Sequence, residues 1–218
     1  MFTLAEENYL KNIFHLQQVS PEGVSTNAIA EKLDTKPSSA TDMVQKLADK
    51  NVLTYIKYKG VTLTEEGRKT AANIIRKHRL WEVFLVEKLN FQWDEVHEIA
   101  EQLEHIHSED LIARLDQFLE FPTVDPHGDP IPDSQGNFKK TEKKLLSNLQ
   151  KSQKGICVGV KESGSGFLQY LGKRNIAIGT EITILEKDNF DDSMTIEVSH
   201  KLHFITKKIA ENLYVQII

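Results

Sequence analysis

The stretch that decides the fold is residues 37–63, PSSATDMVQKLADKNVLTYIKYKGVTL. Its first half opens with a proline and two serines, which favour a helix start, and continues with apolar residues at helical spacing. A shorter helix is predicted upstream, capped by Ser25 or Thr26 and ended by residues 34–37. Two short helices joined by a tight turn are typical of a helix-turn-helix.

A β-hairpin is predicted directly after these two helices. Strand-forming residues alternate in 52–63 on both sides of a Lys-Gly turn. A hairpin in this position is a wing, and its tip carries Lys57, Tyr58 and Lys59, placed to meet DNA phosphates. Residues 36–76 hold eight basic and four acidic side chains, so this segment is +4 in a chain with a formal net charge of -5. A basic face on an acidic protein favours specific DNA binding over non-specific coating of nucleic acid.

Length and composition bound the class of protein. A chain of 218 residues is expected to form one large or two to three small domains. Its one cysteine, Cys157, excludes an internal disulfide framework and fits a reducing compartment. The N-terminus lacks the basic and apolar regions of a signal peptide, and no apolar run approaches the ~20 residues of a membrane span. We therefore expect a cytoplasmic protein without a membrane partner.

A cluster of potential metal ligands follows the winged helix. On a helix over residues 96–106, His97, Glu101, Glu104 and His105 fall within an arc of about 100°. Two imidazoles and two carboxylates on one face suit a divalent cation that accepts nitrogen and oxygen donors. A solvated polar face is the alternative interpretation of the same residues.

A second pair of potential ligands favours the metal site over the solvated face. His78 and Glu82 are four residues apart on the long helix predicted over residues 64–89, and they share one face. One helix rarely supplies every ligand of a metal site, so two ligand-bearing helices make a specific hypothesis. The helices also carry more apolar surface than one winged helix requires, which favours a dimer that reads a palindromic DNA site.

The C-terminal third has a different composition. Residues 121–137 hold four of the six prolines and are predicted to form an extended connector. Four short β-runs follow the Lys-rich segment 139–154: residues 156–160, 182–185, 194–198 and 213–218. These runs predict a small β-barrel at the C-terminus.

This order of domains resembles the diphtheria toxin repressor (DtxR/MntR) family of metal-dependent transcriptional regulators. Four motifs carry the resemblance: PSSATDMVQKL at 37–47, KHRLWE at 77–82, EQLEH at 101–105 and PHGDPIP at 126–132. The resemblance implies a mainly α fold with a small β part. Its three domains are implied to be a winged helix-turn-helix DNA-binding domain (1–64), a helical metal-binding and dimerisation domain with a Pro-rich linker (65–138), and an SH3-like, FeoA-type β-barrel (139–218).

The resemblance also implies a function, which is not enzymatic. The chain is expected to be a homodimeric repressor that binds double-stranded operator DNA when loaded with Mn²⁺ or Fe²⁺, with no organic cofactor. The primary metal site is implied to comprise Asn8, Glu101, Glu104 and His105. Because Glu101 is a hard oxygen donor, Mn²⁺ is favoured and Fe²⁺ is the alternative.

Two positions depart from the family pattern. Asn8 offers a neutral amide oxygen where relatives have a sulfur or carboxylate ligand, so Glu6 or Glu7 is the alternative ligand from the first helix. Lys11 stands where some short manganese regulators have a carboxylate, which argues against their closely paired metal site.

The resemblance implies an ancillary metal site as well. Its candidate ligands are His78, Glu82 and His97, with Asp125, His127 and Glu162 added by the linker and the β-domain of longer members. An exposed loop histidine is the alternative interpretation of His127.

Contacts to DNA are predicted from position on the recognition helix and the wing. Base-edge contacts are predicted for outward residues early in that helix: Ser38, Ser39, Thr41 and Gln45. Pro37, at the start of the same helix, is also predicted to contact DNA. Phosphate contacts are predicted for Lys36, Lys46, Lys57, Tyr58 and Lys59.

Three other functions fit parts of this pattern. A metallohydrolase would use the same His/Glu set to activate water, although the sequence offers no obvious oxyanion donor or nucleophile. A winged-helix regulator would respond to a non-metal, organic ligand, with the polar face merely solvated. A winged helix used only for protein contacts is the third possibility, since a fold does not fix a function.

Overall fold

The computed structural model describes residues 2–56, 58–139 and 142–218, which fall into two compact units. The units interleave along the sequence. The first comprises Met1–Trp81, Glu101–Arg114 and Ile131–Phe138, and the second comprises Glu82–Ala100, Leu115–Pro130 and Lys139–Ile218. None of the described helices combines the length and the hydropathy that a membrane crossing requires.

The first unit begins with the predicted winged helix. Its elements are α1 (Leu4–Val19), α2 (Thr26–Lys32), α3 (Pro37–Asp49), β1 (Leu53–Ile56) and β2 (Gly60–Leu63). Thr3 and Glu6 form a capping box at the start of α1, and Ser25 caps α2 as predicted. Pro37 is the first residue of α3, because proline at this position lacks only an N–H that the helix leaves unpaired. The antiparallel pairing of β1 with β2 confirms the wing.

An apolar core holds these elements together. Its fully buried members include Leu10, Ile13, Ile29, Ala40, Leu47 and Val61. Burial of one leucine or isoleucine stabilises the fold by about 1.5–3 kcal/mol, so this set supplies much of the stability of the unit.

The second half of the Pro-rich segment packs on this same unit. Phe138 stacks on Phe14 with ring centroids 5.3 Å apart, and Arg76 donates a hydrogen bond to the Pro132 carbonyl over 2.8 Å. Ile131 is also buried. Residues 131–137 of the predicted connector therefore form no helix or strand, and aromatic and cationic side chains anchor them on the first unit.

Three helices follow the wing: α4 (Glu65–Leu89), α5 (His97–Leu103) and α6 (Glu109–Phe118). The helix predicted over 96–106 is shorter than expected, since α5 ends at Leu103 and the next two residues form a turn. That turn ends the spacing of 100° per residue on which the single polar face depended. His97 moreover belongs to the second unit, whereas Glu101, Glu104 and His105 belong to the first. One shared helical face for these four side chains is therefore wrong.

The C-terminal part of the second unit is a six-stranded antiparallel sheet. Its strands are β3 (Lys144–Leu145), β4 (Lys154–Val160), β5 (Glu181–Lys187), β6 (Met194–Val198), β7 (Lys201–Ile205) and β8 (Leu213–Ile217), in the order β3-β8-β4-β5-β6-β7. A 3-10 turn (Leu146–Asn148), α7 (Ser165–Gly172) and α8 (Lys207–Ala210) accompany the sheet. The four predicted β-runs are all strands. β3 and β7 were not predicted, since β3 has two residues and β7 is largely exposed.

The turn Pro126-His127-Gly128 docks on β4 within this unit. Gly128 has φ +83°, and a Cβ at this position would lie 2.0 Å from the Val158 carbonyl oxygen. The Val160 N–H donates a hydrogen bond to the His127 carbonyl over 2.9 Å. This close backbone approach fixes the position of His127.

We expect Gly128→Ala to lower the free energy of unfolding by about 1–3 kcal/mol, because alanine is strained at positive φ and its Cβ meets the Val158 carbonyl. Gly172→Ala is the matched control, since nothing lies within 4 Å of a Cβ added there. Its free energy of unfolding is expected to stay unchanged or rise by up to about 1 kcal/mol. Urea unfolding followed by circular dichroism measures both. Equal stability of the two variants would contradict the docking of the turn.

Candidate metal centre

Charged side chains, most of them buried, gather around α1 in the first unit. This first cluster comprises Glu7 and Lys11 of α1, His78 of α4, Glu101 of α5, and Glu104 and His105 in the turn after α5. Lys11 Nζ lies 2.6 Å from Glu104 Oε1 and 3.3 Å from Glu101 Oε1. The other oxygen of Glu104, Oε2, accepts a hydrogen bond from His78 Nδ1 over 2.6 Å. Glu104 is thus held between two helices that lie far apart in the sequence.

The charge of Glu104 is maintained although its side chain is 0% exposed. Burial by itself raises the pKa of this carboxyl group. The hydrogen bond from His78 and the positive charge of Lys11 outweigh burial, so the pKa lies below its ordinary value. A buried carboxylate of this kind requires a cation beside it, and Lys11 is that cation in this structure.

His105 is oriented as metal-binding histidines are. Its Nδ1 lies 2.6 Å from Glu7 Oε2, and its Nε2 lies 3.8 Å from Glu104 Oε1. A carboxylate on one ring nitrogen fixes the tautomer and turns the other nitrogen toward a ligand position. Glu104 and His105 therefore present converging oxygen and nitrogen donors that fit a divalent cation. Such a cation competes with Lys11 for the same oxygen.

The contribution of α1 differs from the expectation for Asn8. Among the described residues, the Asn8 side chain makes no hydrogen bond to the first cluster, and its backbone carbonyl accepts one from Asn12. Glu7, one of the two alternatives, contacts His105, whereas Glu6 pairs with Lys50 over 2.7 Å.

The sequence contained a signal for this arrangement. Glu7 and Lys11 stand at i and i+4, on the stripe that continues to the buried Phe14. Charged residues are seldom buried unless paired, so two charges on a core-facing stripe indicate partners elsewhere in the fold.

The second unit has a cluster of its own. This second cluster comprises Glu82 of α4, His97 of α5, and Asp125 and His127 of the Pro-rich segment. Potential ligand atoms of Glu82, Asp125 and His127 all lie within 4.8 Å of one another, and these three side chains are buried. His97 Nδ1 lies 3.5 Å from Glu82 Oε1, and His127 Nδ1 lies 3.6 Å from Glu82 Oε2. The donors are again nitrogen and carboxylate oxygen, which fit a divalent cation.

His127 is held by its surroundings rather than exposed. Its Nε2 donates a hydrogen bond to the Trp93 carbonyl over 2.8 Å, which leaves Nδ1 directed at Glu82. The Trp93 ring stacks on the imidazole at 18°. At 4% exposure, His127 is not the solvent-exposed loop histidine of the alternative interpretation.

Opposite charges also lie side by side in the second cluster, and they set the pKa of His127. Burial alone lowers the pKa of His127. The carboxylates of Glu82 and Asp125, with the Trp93 carbonyl, outweigh burial and raise the pKa to about 9. Without a metal, the imidazolium therefore compensates the two buried carboxylates.

His78 and Glu162 are the remaining candidate ligands of the ancillary site. His78 belongs to the first unit, where it bonds Glu104. Glu162 is exposed just after β4, and it does not join any grouping of three or more potential ligands found in the part of the chain that the structure describes. Both assignments stay predictions.

The residues predicted to contact DNA lie on one exposed surface of α3 and at the wing. All seven on or next to α3 are exposed: Lys36, Pro37, Ser38, Ser39, Thr41, Gln45 and Lys46. Tyr58 is 91% exposed, and Lys59 forms an ion pair with Glu22. Lys57 lies outside the described residues. The surface predicted to contact DNA is therefore exposed, and the predicted phosphate contact of Lys59 would replace its ion pair with Glu22.

Three family models match consecutive parts of the chain. Residues 1–61 match the iron dependent repressor, N-terminal DNA binding domain. Residues 64–133 match the iron dependent repressor, metal binding and dimerisation domain, and residues 144–217 match the FeoA domain.

Individual relatives agree with these matches. The iron-dependent repressor IdeR of Mycobacterium tuberculosis is 38% identical over 128 residues, which cover 58% of this chain and 54% of that relative, so the chain spans about half its length. The HTH-type transcriptional regulator MntR of Oceanobacillus iheyensis is 35% identical, covering 56% of this chain and 81% of that protein. The solved structure of a manganese-dependent transcriptional repressor in complex with manganese is 31% identical, with a TM-score of 0.85 over 98% of this chain and 100% of that one.

The raised pKa of His127 makes stability depend on pH in metal-free protein. Because the folded pKa of about 9 exceeds the ordinary value of 6.5, its stabilising contribution is complete below pH 6.5 and is lost as pH rises through 9. We expect His127→Gln to lower the melting temperature strongly at pH 6 and little above pH 9. The control, His200→Gln, removes an exposed histidine and should show no such trend. A difference that is independent of pH would contradict the charge balance in the second cluster.

Proposed function

Because the chain belongs to the diphtheria toxin repressor family of metal-dependent transcriptional regulators, we propose that it is a homodimeric repressor that binds operator DNA when the first cluster holds a divalent cation. One observation carries the proposal. The buried Glu104 carboxylate, which joins α1 to the turn after α5, lies 3.8 Å from the oriented His105 Nε2 and is neutralised only through partners that a metal can replace. The family consists of transcriptional repressors, so the metallohydrolase interpretation is not supported.

The donor set favours Mn²⁺ as the metal, with Fe²⁺ as the alternative. Both clusters consist of carboxylate oxygens and imidazole nitrogens, and neither contains a cysteine or methionine sulfur. Hard oxygen donors suit Mn²⁺, whereas sulfur donors would shift the preference toward softer ions. The named relatives include iron-dependent and manganese-dependent repressors, so selection between the two metals is a property of each site.

α1 connects the first cluster to the recognition helix. On one side, Glu7 and Lys11 reach His105 and Glu104. On the other, Glu6 pairs with Lys50 at the end of α3 over 2.7 Å, and the Lys50 ammonium lies 5.1 Å from the centroid of the Phe2 ring. A change in how α1 is held at the cluster therefore reaches α3 through a short series of charged contacts.

Metal dependence follows from the charges at this connection. When bound, a divalent cation supplies the positive charge that Glu101 and Glu104 otherwise take from Lys11. Glu101, Glu104 and His105 would hold the cation, and Glu7, which contacts His105, would keep α1 attached to the site in one orientation. The population would then shift toward the arrangement of α3 that fits DNA. By linkage, operator DNA tightens metal binding by the same factor.

The second cluster is proposed as the ancillary metal site. Glu82, Asp125 and His127 are its principal ligands, and His97 contributes from α5. Because the turn that carries His127 docks on β4, a cation here ties the Pro-rich segment to α4 within the second unit. His78 and Glu162 remain the further candidates.

A dimer would bury exposed apolar side chains of the second unit. Leu89, Phe118 and Phe121 are 52%, 60% and 64% exposed. Several exposed apolar side chains of this size in one unit are consistent with a subunit interface. A two-fold dimer presents two recognition helices to a palindromic operator, and we place this complex in the cytoplasm.

The function is tested by the metal response of DNA binding. A DNA fragment is first selected from a random library by the wild-type protein in Mn²⁺ or Fe²⁺. We expect gel retardation with the metal and none with a chelator. Glu104→Gln combined with His105→Gln should weaken the metal response by about 5- to 150-fold, because the variant loses the charge and the nitrogen donor of the first cluster.

The matched control is Glu197→Gln with His200→Gln, which removes an exposed Glu–His pair from the second unit. This variant should respond to metal as the wild type does. Retardation of wild-type protein that does not depend on metal would contradict the proposal and favour a regulator that responds to an organic ligand.

A further inference from the structure

A cavity of about 570 Å³ lies in the first unit between α4 and the segment around α6. One wall is polar and comes from a single face of α4: Lys69, Asn73, Arg76 and Lys77. The facing wall contains Ile106, Ile112 and Ala113. Cavities of roughly 300–1,000 Å³ with an apolar side and a few polar groups are typical of small-molecule sites.

The two lysines of the polar wall can form hydrogen bonds to a ligand. Within the described residues, neither the Lys69 nor the Lys77 ammonium makes a hydrogen bond or lies within ion-pair distance of a carboxylate. Arg76 already donates one hydrogen bond, to the Pro132 carbonyl over 2.8 Å. Lys77 is half-buried, whereas Lys69 is exposed. A half-buried ammonium group without a partner, such as that of Lys77, favours an anion beside it.

The opposing charges around the cavity are few. Glu109, exposed in the first turn of α6, is the acidic side chain among the described lining residues. His107 also lines the cavity, and its Nδ1 lies 3.7 Å from Glu7. The lining therefore carries three cationic side chains and one carboxylate, while Glu7 and Glu104 of the first cluster also act on Lys77. The positive charge of the lining itself favours an anion in the cavity.

We propose that this cavity binds a small organic phosphate, with the phosphate on Lys69 and Lys77 and the apolar part of the ligand against Ile112 and Ala113. Lysine ammonium groups bind phosphate oxygens through charge-assisted hydrogen bonds. The apolar wall distinguishes an organic phosphate from inorganic phosphate, which has nothing to place there. The site goes beyond the metal response, because none of these four residues belongs to the first or the second cluster.

The test uses the full chain freed of metal and then of chelator by gel filtration. Phenyl phosphate and inorganic phosphate are titrated separately by isothermal titration calorimetry. We expect saturable binding of phenyl phosphate with a Kd of about 1 mM or lower, and weaker binding of inorganic phosphate. Absence of saturable binding of phenyl phosphate, or equal affinity for the two probes, would overturn the proposal. Because no metal is present, this result is independent of whether the metal-dependent function is correct.

Two kinds of variant assign the binding to this cavity. Lys69→Gln and Lys77→Gln should each weaken phenyl phosphate binding by about tenfold, the loss expected for one charge-assisted hydrogen bond. Ala113→Phe fills the cavity from its apolar side and should abolish binding without changing the cationic wall. The control is Lys32→Gln, an exposed lysine of α2 outside the cavity. Wild-type affinity in Lys77→Gln and Ala113→Phe would overturn the proposal.

Discussion

The structure depends on a negative charge that is completely removed from water. Glu104, in the turn after α5, lies between α1 and α4, and its carboxylate can stay ionised only with a cation and hydrogen-bond donors beside it. The unpaired charge would cost several kcal/mol, far more than an exposed ion pair contributes. Lys11 and His78 meet this requirement in the metal-free protein. A bound divalent cation would neutralise the Glu104 carboxylate in place of Lys11, and this exchange of cations is the basis of the proposed switch.

The buried carboxylates of the second cluster also need a neighbouring positive charge, but a different group supplies it. There the imidazolium of His127 compensates Glu82 and Asp125, and a metal ion must take the place of a proton rather than an ammonium. Metal loading of the second cluster would therefore be coupled to pH, whereas loading of the first would be coupled to the displacement of the Lys11 side chain. The two proposed sites would then respond to different conditions.

Local patterns were sufficient to predict most of the fold. The winged helix, the long α4 and four strands of the C-terminal sheet follow from short-range periodicity, capping residues and turns. The end of α5 was not predictable in this way, because Glu104 leaves the helix for partners on α1 that are more than ninety residues away in sequence. The docking of Phe138 on Phe14 is likewise a long-range contact, and nothing in the prolines around it indicates that it occurs.

The candidate ligands were predictable as residue types, but their grouping was not. The single helical face predicted from the sequence grouped His97 with Glu104, whereas in the fold His97 lies beside Glu82. Burial of His127 requires the Gly128 turn to approach β4, which depends on tertiary structure. The sequence shows that Lys11 departs from the family pattern. Only the folded arrangement of α1 shows that its ammonium lies beside the carboxylates of Glu101 and Glu104.

The most direct measurement is the affinity of the first cluster for Mn²⁺ with and without Lys11. Isothermal titration of metal-free Lys11→Gln, in a His127→Gln background that disables the second cluster, isolates this site. We expect Mn²⁺ to bind the Lys11→Gln protein about tenfold or more tightly than the same background with Lys11, because no ammonium group has to leave Glu104. Unchanged or weaker binding would contradict the exchange of lysine for metal at the buried carboxylate.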